Sequence, residues 1–337
     1  MKLASIETIN NLRDHPNADS LLIGNVLGWQ VVVKKGIHQE GDKVVFITID
    51  TIVPKCSWSE FLVDPKNPDK PLRIRNMKLR GEYSSGLVIP LSVFPDQFSD
   101  TTLVGEDLTS LLGIQKYIKE LPANLSGENV GDFPSHITPK TDEDNGLNDP
   151  ELFKEVLFHD PEVTITMKCD GSSTTLIIEN GVLTQVCSRN LSKKETENST
   201  FWNAAKKLKI PKGWSGVIAG ELCGNGIQKN QLKLQDVRIF VFQVFHDGRY
   251  MTYDEMADFC EKELACDVVP LLKKLSVDST IRIWENPLQK LQEFADSQKY
   301  SSGLDAEGIV VRPSSYPKSR GSRRPMGFKL INRNYKD

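Results

Sequence analysis

Residues 163–170, which read Val-Thr-Ile-Thr-Met-Lys-Cys-Asp, restrict the fold of this chain more than any other stretch. Apolar and polar side chains alternate along it, as they do in a β-strand whose two faces meet different surroundings. We expect the apolar positions and Cys169 to face a core, and the threonines, Lys168 and Asp170 to share the opposite face. Gly171 then allows another group to approach the backbone closely. The pattern predicts a surface that carries an amine and a carboxylate together.

The composition is that of an ordinary globular protein. The 337 residues are 39% hydrophobic and 26% charged, and a chain of this length forms about two domains. The N-terminus has no apolar signal segment, and no apolar run approaches the roughly 18–20 residues of a membrane span. We therefore expect an intracellular protein that does not bind membranes, in either the cytoplasm or the nucleus.

Cysteine and histidine patterns argue against metal chemistry based on these residues. The six cysteines include no Cys-x-x-Cys pair, which indicates reduced thiols. The five histidines form neither His-Glu-x-x-His nor an i, i+4 pair, so zinc catalysis is not indicated. No Walker A phosphate loop occurs in the chain.

The net charge of −3 is unevenly distributed. Acidic residues crowd into residues 142–162, whereas residues 312–336 contain basic residues and no acidic one. Such a basic strip predicts phosphate binding, and a solvated charged tail is the alternative. Its members are Arg312, Lys318, Arg320, Arg323, Arg324, Lys329, Arg333 and Lys336.

Short β-rich runs separated by turn residues dominate residues 2–91, with strands predicted at 21–26, 30–33, 43–49 and 86–90. This spacing is typical of a small barrel. A loop at 63–71 leads to a run in which Arg73, Arg75 and either Lys78 or Arg80 are predicted to reach accessible faces. We expect RNA contact there, with ordinary exposed basic residues as the alternative.

Residues 94–152 are predicted to form a proline-containing connector with short helical runs, such as 108–120. Beyond it, Asn180-Gly181 predicts a hairpin turn. Helices are predicted at 200–208, 253–264 and 287–298, the last with Asn286 as N-cap and Pro287 at its first position. Strands are predicted at 182–188, 217–222, 237–245 and 308–311. The fold class is α+β with antiparallel sheets, and the domains are 1–125 and 130–337.

Two groups of motifs resemble known families. Residues 12–21, Leu-Arg-Asp-His-Pro-Asn-Ala-Asp-Ser-Leu, followed by Gly28, resemble the opening of tRNA-binding OB-fold modules. The second domain resembles the covalent nucleotidyltransferases, which include polynucleotide ligases and mRNA capping enzymes. Its motifs follow in order: Lys168-Cys169-Asp170-Gly171, Ser188-Arg189-Asn190, Gly220-Glu221-Leu222-Cys223-Gly224, Phe240-Val241-Phe242-Gln243-Val244, Glu307-Gly308-Ile309-Val310-Val311-Arg312 and Phe328-Lys329-Leu330-Ile331-Asn332.

The resemblance implies the chemistry of these residues. Lys168 is implied to attack the α-phosphorus of ATP, giving a lysyl-adenylate and pyrophosphate. Asp170, Glu221 and Glu307 are implied to hold Mg²⁺ or Mn²⁺, largely through waters. ATP contacts are implied for Lys168, Asp170, Gly171, Arg189, Glu221, Phe242, Glu307 and Lys329. Among these, Phe242 would stack on adenine, Arg189 would approach the ribose or phosphate, and Lys329 would stabilise the α-phosphate.

The arrangement of the chain is similar to RNA ligases of the Naegleria type. An OB-like domain precedes the catalytic domain, Arg80-Gly81-Glu82-Tyr83-Ser84-Ser85-Gly86 fits that type, and only eight residues follow Lys329. The chain departs from its relatives in two places. No arginine that would orient the triphosphate stands near Asp144-Asn145, and the last motif has one lysine where many relatives have two. Arg323 or Arg324 is the suggested substitute for the second lysine.

The expected function is ATP-dependent joining of 5′-phosphate and 3′-hydroxyl RNA ends, in RNA repair, by a monomer. Its substrates would be RNA ends or nicked duplexes that contain RNA. The alternatives are a DNA nick ligase, a GTP-dependent capping enzyme, and an OB-type RNA-binding protein whose adenylation domain is silent.

Overall fold

A computed structural model describes residues 2–94, 98, 103–117, 129–319 and 322–336. The chain forms two compact units, Met1–Lys119 with Leu147–Pro150, and Glu120–Gly146 with Glu151–Asp337. The predicted domain ranges, 1–125 and 130–337, stay a prediction, because the chain around their common limit lies outside the described residues. None of the helices in the described part of the chain is long and apolar enough to cross a membrane.

The first unit is built from short antiparallel strands. A five-stranded sheet has the order β3-β2-β1-β4-β9, a second sheet has the order β10-β5-β6, and β7 pairs with β8. Register shifts in the β1–β2 pair, between Asn10 and Arg13 and again at His15, bend the long first strand. The strands are β1 Ala4–His15, β2 Ala18–Val26, β3 Trp29–Lys34, β4 Lys43–Ile47, β5 Thr51–Val53, β6 Leu72–Ile74, β7 Asn76–Leu79, β8 Glu82–Ser85, β9 Leu87–Pro90 and β10 Gln115–Lys116.

The β-rich first unit is therefore confirmed as a curled, OB-like sheet around a core that includes Ile6, Val45 and Leu108. The predicted helical run at 108–120 was wrong over its described part. Its first turn ends at Gly113, which has a φ of 63°. The next residues pair with β5 as strand β10.

The second unit contains two sheets and several helices. The larger sheet has the order β11-β16-β15-β14-β17-β18-β19 with β20 beside β18, and the smaller has the order β12-β23-β22-β13-β21. The helices are α1 Pro150–His159, α2 Thr200–Ala205, α3 Tyr253–Phe259 and α4 Pro287–Asp296. The strands are β11 Asn129–Asp132, β12 Asp144–Asn145, β13 Glu162–Lys168, β14 Ser172–Glu179, β15 Val182–Cys187, β16 Leu191–Lys193, β17 Gly216–Cys223, β18 Arg238–His246, β19 Arg249–Tyr250, β20 Asp267–Val268, β21 Leu271–Ser276, β22 Gly308–Pro313 and β23 Phe328–Ile331.

The predicted helices and strands of this unit are present. At the start of α4 the Asn286 side chain accepts a hydrogen bond from the Gln289 amide at 3.1 Å, so the N-cap prediction is confirmed. Pairing is antiparallel except for two short parallel pairs, β12–β23 and β18–β20. Helix α1 lay within the predicted connector and was missed. It packs on the smaller sheet, where the rings of Phe153 and Phe328 have centroids 5.1 Å apart.

The chain passes from the smaller sheet to the larger one directly after Lys168. Strand β13 ends there, and β14 begins at Ser172. Both faces of β13 are covered, since Thr164 and Thr166 are as buried as Val163. The polar and the apolar side chains of β13 therefore lie on opposite faces of the strand, but both faces are buried. Gly171 is required at the crossing, because a Cβ there would lie 2.4 Å from the Leu222 carbonyl oxygen of β17.

We expect Gly171→Ala to force β14 away from β17 and to lower the free energy of unfolding by about 2–4 kcal/mol. Urea denaturation measures this loss. Gly131→Ala is the matched control, because a Cβ at that position would meet no atom within 4 Å. Equal stability of the two variants would contradict the close approach at Gly171.

Candidate active site

The sequence motifs of the second unit meet at one cleft. From the smaller sheet come Lys168 at the end of β13, Glu307 directly before β22, and Lys329 within β23. From the larger sheet come Glu221 of β17 and Phe242 of β18. The cleft is open to solvent, and its lining includes Lys168, Arg189, Glu221, Phe242, Arg312 and Lys329. Motifs that are far apart in the sequence therefore converge.

The Lys168 amine is paired with a carboxylate in this cleft. Its Nζ lies 2.9 Å from Oε2 of Glu307, and the two side chains are 20% and 22% exposed. Burial alone would lower the pKa of Lys168. The negative charges of Glu307 and Glu221, with the hydrogen bond from Nζ to Glu307, outweigh burial and raise that pKa above its ordinary value. The amine is therefore an ammonium ion in the protein without ligands.

Two further carboxyl groups surround this pair. Burial, together with the charges of Glu307 and Asp170, raises the pKa of Glu221 from 4.5 to about 8, against the opposing effect of Lys168. Asp170 is only 6% exposed, and its Oδ2 has no hydrogen-bond partner among the described residues. A buried carboxylate oxygen without a partner is costly unless a ligand supplies one.

Oxygen donors of this kind suit a hard divalent cation such as Mg²⁺ or Mn²⁺. Asp170, Glu221 and Glu307 fit that role by their donor type and by the unpartnered Oδ2 of Asp170. In the part of the chain that the structure describes, no three His, Cys, Asp or Glu side chains stand in the arrangement of a ready metal site. Direct ligation by all three would require them to move, whereas ligation through waters would not.

Arg189 reaches the cleft from the turn after β15. Its Nη2 lies 2.8 Å from Oδ1 of Asp142. Nearby, Thr141 shares a hydrogen bond of 3.2 Å with Ser173. Residues 141–143 therefore form one wall of the cleft, and Asp142 holds the exposed guanidinium of Arg189 against it.

Arg312 has a different place from the one that the sequence predicted. It is 2% exposed, forms an ion pair with Glu143, and donates a hydrogen bond of 3.4 Å to the Phe242 carbonyl oxygen. It therefore supports the wall of the cleft rather than a surface strip. Arg312 belongs to one of the ordered motifs, whereas the sequence predicted no role for Glu143.

Other arginines of the basic strip also form hydrogen bonds or ion pairs within the protein. Arg324 donates to the Asp142 carbonyl oxygen at 2.7 Å and pairs with Asp144, and Arg333 pairs with Asp296. Arg323 donates to backbone carbonyl oxygens of residues 135–137. These three arginines are therefore held by protein partners, Arg320 lies outside the described residues, and phosphate binding by the basic strip stays a prediction. Whether Arg323 or Arg324 replaces the second lysine stays a prediction.

In the first unit, the predicted basic β-surface is only partly available. Arg73 pairs with Asp50 at 2.7 Å, and its guanidinium carbon lies 3.8 Å from the centre of the Tyr117 ring. Arg75, Lys78 and Arg80 are exposed around strand β7.

Family models match both parts of the chain. The RNA ligase model matches residues 161–329, which include the motifs from Lys168 to Lys329, and a model of an OB-fold domain matches residues 3–91. The chain belongs to the RNA ligase family. No curated protein matches it.

Solved structures of a Naegleria gruberi RNA ligase resemble this RNA ligase family member over nearly its whole length. An apo mutant is 26% identical, with a TM-score of 0.82, covering 98% of this chain and 97% of that one. A mutant with ATP and Mn gives 26% identity and a TM-score of 0.81 over the same shares. The ligase with PPi gives 27% and 0.80, again over the same shares. The resemblance to Naegleria-type RNA ligases with an N-terminal OB domain is thereby confirmed.

The raised pKa of Glu221 predicts a pH-dependent stability. Between pH 4.5 and about 8, the native carboxyl holds a proton that the unfolded chain has lost. The free energy of unfolding therefore falls as the pH rises through this window. Since Glu221 is half-buried and coupled to Lys168, we expect Glu221→Gln to gain about 1–2 kcal/mol at pH 8 and least at pH 5.

Urea denaturation in EDTA at several pH values measures this difference. Glu255→Gln is the control of opposite sign, because hydrogen bonds from Arg249 and from the Thr252 backbone lower the pKa of Glu255 to about 2. That variant should lose stability at pH 8. A Glu221→Gln gain that did not change with pH would contradict the raised pKa.

Proposed function

We propose that this RNA ligase family member uses ATP to join a 5′-phosphate RNA end to a 3′-hydroxyl end through a lysyl-adenylate on Lys168. The observation that carries the proposal is the Lys168 amine, which lines a cleft with its Nζ held 2.9 Å from Glu307. A buried amine fixed at the end of a strand, among carboxylates and beside a phenylalanine ring, suits attack on a bound nucleotide.

In the first step, the Lys168 ammonium loses a proton and its lone pair attacks the α-phosphorus of ATP. A nitrogen–phosphorus bond forms, the bond between the α-phosphorus and the bridging oxygen breaks, and pyrophosphate leaves. The Glu307 carboxylate contacts the amine and is the nearest acceptor for its proton. Its charge also raises the pKa of Lys168, so proton loss requires this charge to be offset.

Asp170, Glu221 and Glu307 are proposed to hold Mg²⁺ or Mn²⁺, in part through waters. A bound divalent cation supplies positive charge that offsets these carboxylates and the phosphate oxygens. The Naegleria structures with ATP and Mn support this choice of nucleotide and metal.

The remaining side chains are assigned to binding and orientation of ATP. Phe242 lines the cleft and presents a ring for adenine, while Arg189 and Lys329 bring positive charge toward the ribose and phosphates. Gly171 lies beside Glu221 with no side chain of its own, which keeps the backbone next to the nucleophile within reach of the nucleotide.

Two further transfers complete the proposed reaction. The 5′-phosphate oxygen of RNA attacks the adenylate phosphorus, which frees Lys168 and gives an adenylated end. The 3′-hydroxyl then attacks the 5′-phosphorus, and AMP leaves.

Exposed basic residues of the first unit are candidates for RNA binding. Lys78 and Arg80 are exposed, and Lys78 Nζ lies 5.2 Å from the centre of the Tyr83 ring. This combination of cations and an aromatic ring suits single-stranded RNA.

We expect the protein to acquire label when incubated with α-³²P ATP and Mg²⁺ or Mn²⁺, because AMP stays on Lys168. Lys168→Ala should give no labelled protein on a denaturing gel. Lys154→Ala, which removes an exposed lysine of α1 paired with Glu151, should label like the wild-type protein. Absence of wild-type adduct, or undiminished label in Lys168→Ala, would refute the mechanism. Preferential labelling by GTP would indicate a capping enzyme.

We expect sealing to require a ribose at the 3′-hydroxyl end, because a 2′-hydroxyl is what distinguishes RNA from DNA at a strand end. Matched nicks that differ only in whether the last 3′-hydroxyl nucleotides are RNA or DNA test this by gel. Equal sealing of both nicks would favour a DNA nick ligase. RNA binding without any adduct would favour a silent adenylation domain.

A further inference from the structure

The hydroxyl group of Tyr300 connects the backbone on both sides of the Lys168–Glu307 ion pair. It accepts hydrogen bonds from the Asp170 amide at 2.8 Å and from the Glu307 amide at 3.0 Å. It donates a third, of 2.9 Å, to the Lys168 carbonyl oxygen. A tyrosine hydroxyl has one proton and two lone pairs, so these bonds use its full capacity.

The position of this hydroxyl follows from the way in which two strands separate. Strands β13 and β22 are paired as far as Lys168 and Gly308. Beyond that pair, the chain at Asp170 leaves for the larger sheet, and the backbone groups of the next residues lose their partners across the ladder. The Tyr300 hydroxyl occupies this gap. Its hydrogen bonds join the end of strand β13, at Lys168 and Asp170, to the backbone of Glu307.

Tyr300 is itself firmly held. It is 4% exposed and packs with Met167 and Ala306. Its amide donates to the Leu304 carbonyl oxygen at 2.8 Å, and its carbonyl oxygen accepts from the Gly303 amide at 2.9 Å. Because both the backbone and the ring of Tyr300 are fixed, its hydroxyl can fix the positions of the backbone groups to which it is hydrogen-bonded.

We propose that Tyr300 is a positioning residue of the active site, whose hydroxyl fixes the Lys168 amine relative to Glu307 for attack on the nucleotide. This inference rests on the proposed function. The Tyr300 hydroxyl acts through the backbone of Lys168, Asp170 and Glu307, to which its hydrogen bonds are made. No motif of the sequence marks it, because its partners are backbone groups.

The test compares Tyr300→Phe with Tyr250→Phe. Tyr250 is also buried, but in the described part of the chain its hydroxyl makes one hydrogen bond, of 2.6 Å, to the Arg323 carbonyl oxygen. In single-turnover adenylation, scaled to the titrated active sites, Tyr300→Phe should lower the maximal rate constant about 10- to 100-fold. The ATP concentration at half-saturation should change by less than about 3-fold. Tyr250→Phe should retain the wild-type rate constant.

A double variant separates positioning from a purely structural role. If Tyr300 acts through Glu307, adding Tyr300→Phe to Glu307→Gln should slow adenylation by less than about 3-fold further. If the double variant showed the product of the two single-variant rate reductions, the proposal would be overturned. A wild-type rate constant in Tyr300→Phe would overturn it equally.

Amide hydrogen exchange gives a readout that does not need activity. The Asp170 and Glu307 amides should be protected in the wild-type protein, and should exchange at least about 10-fold faster in Tyr300→Phe but not in Tyr250→Phe. Unprotected wild-type amides at these two positions would overturn the proposal even if the variant did not fold. If the wild-type protein formed no adduct, the proposed function would fail, and exchange alone would support or overturn the anchoring role.

Discussion

The contact between Lys168 and Glu307 is the interaction around which the second unit is organised. The two residues lie on neighbouring strands, and the paired backbone of Lys168 and Gly308 brings them side by side. Everything else at the cleft is placed relative to this pair. The larger sheet supplies Glu221 and Phe242 from opposite the amine, and Tyr300 fixes the backbone where the ladder ends. Side chains from both sheets of the second unit therefore surround the Lys168 amine.

The negative charge of the carboxylates in the cleft favours the binding of cations. Burial, with the charges of Glu307 and Asp170 added to it, raises the pKa of Glu221 to about 8 although the charge of Lys168 opposes this rise. Clustered acids of this kind reduce the stability of the protein alone and are maintained for binding. The same charges raise the pKa of Lys168 and keep it protonated. Loss of the Lys168 proton therefore requires positive charge that offsets these carboxylates.

The sequence was most informative where structure is local or where motifs recur in order. Asn286 and Pro287 predicted the start of a helix because capping depends on neighbouring residues alone. The ordered motifs predicted the convergence of Lys168, Glu221 and Glu307 through family resemblance. Helix α1 was missed inside a proline-containing region, although Pro150 stands at its first position, where proline is tolerated. Alternation also misrepresented β13, because threonines can be buried as fully as valine when sheet neighbours and helices cover both faces.

The sequence predicted the close approach at Gly171, but it did not identify the group that approaches, and what it could not predict depends on contacts between backbone groups. Gly171 lies against the Leu222 carbonyl oxygen, and Gly308 lies against that of Leu330, where a Cβ would approach to 2.1 Å. These contacts fix the backbone next to the nucleophile and next to Glu307, so the positions of both side chains follow from strand packing rather than from flexible loops. Tyr300 completes the arrangement by binding the amides and the carbonyl that the diverging strands leave unpaired. Backbone partners of this kind carry no residue signature, which is why a buried tyrosine far along the chain belongs to the active site without belonging to any of its motifs.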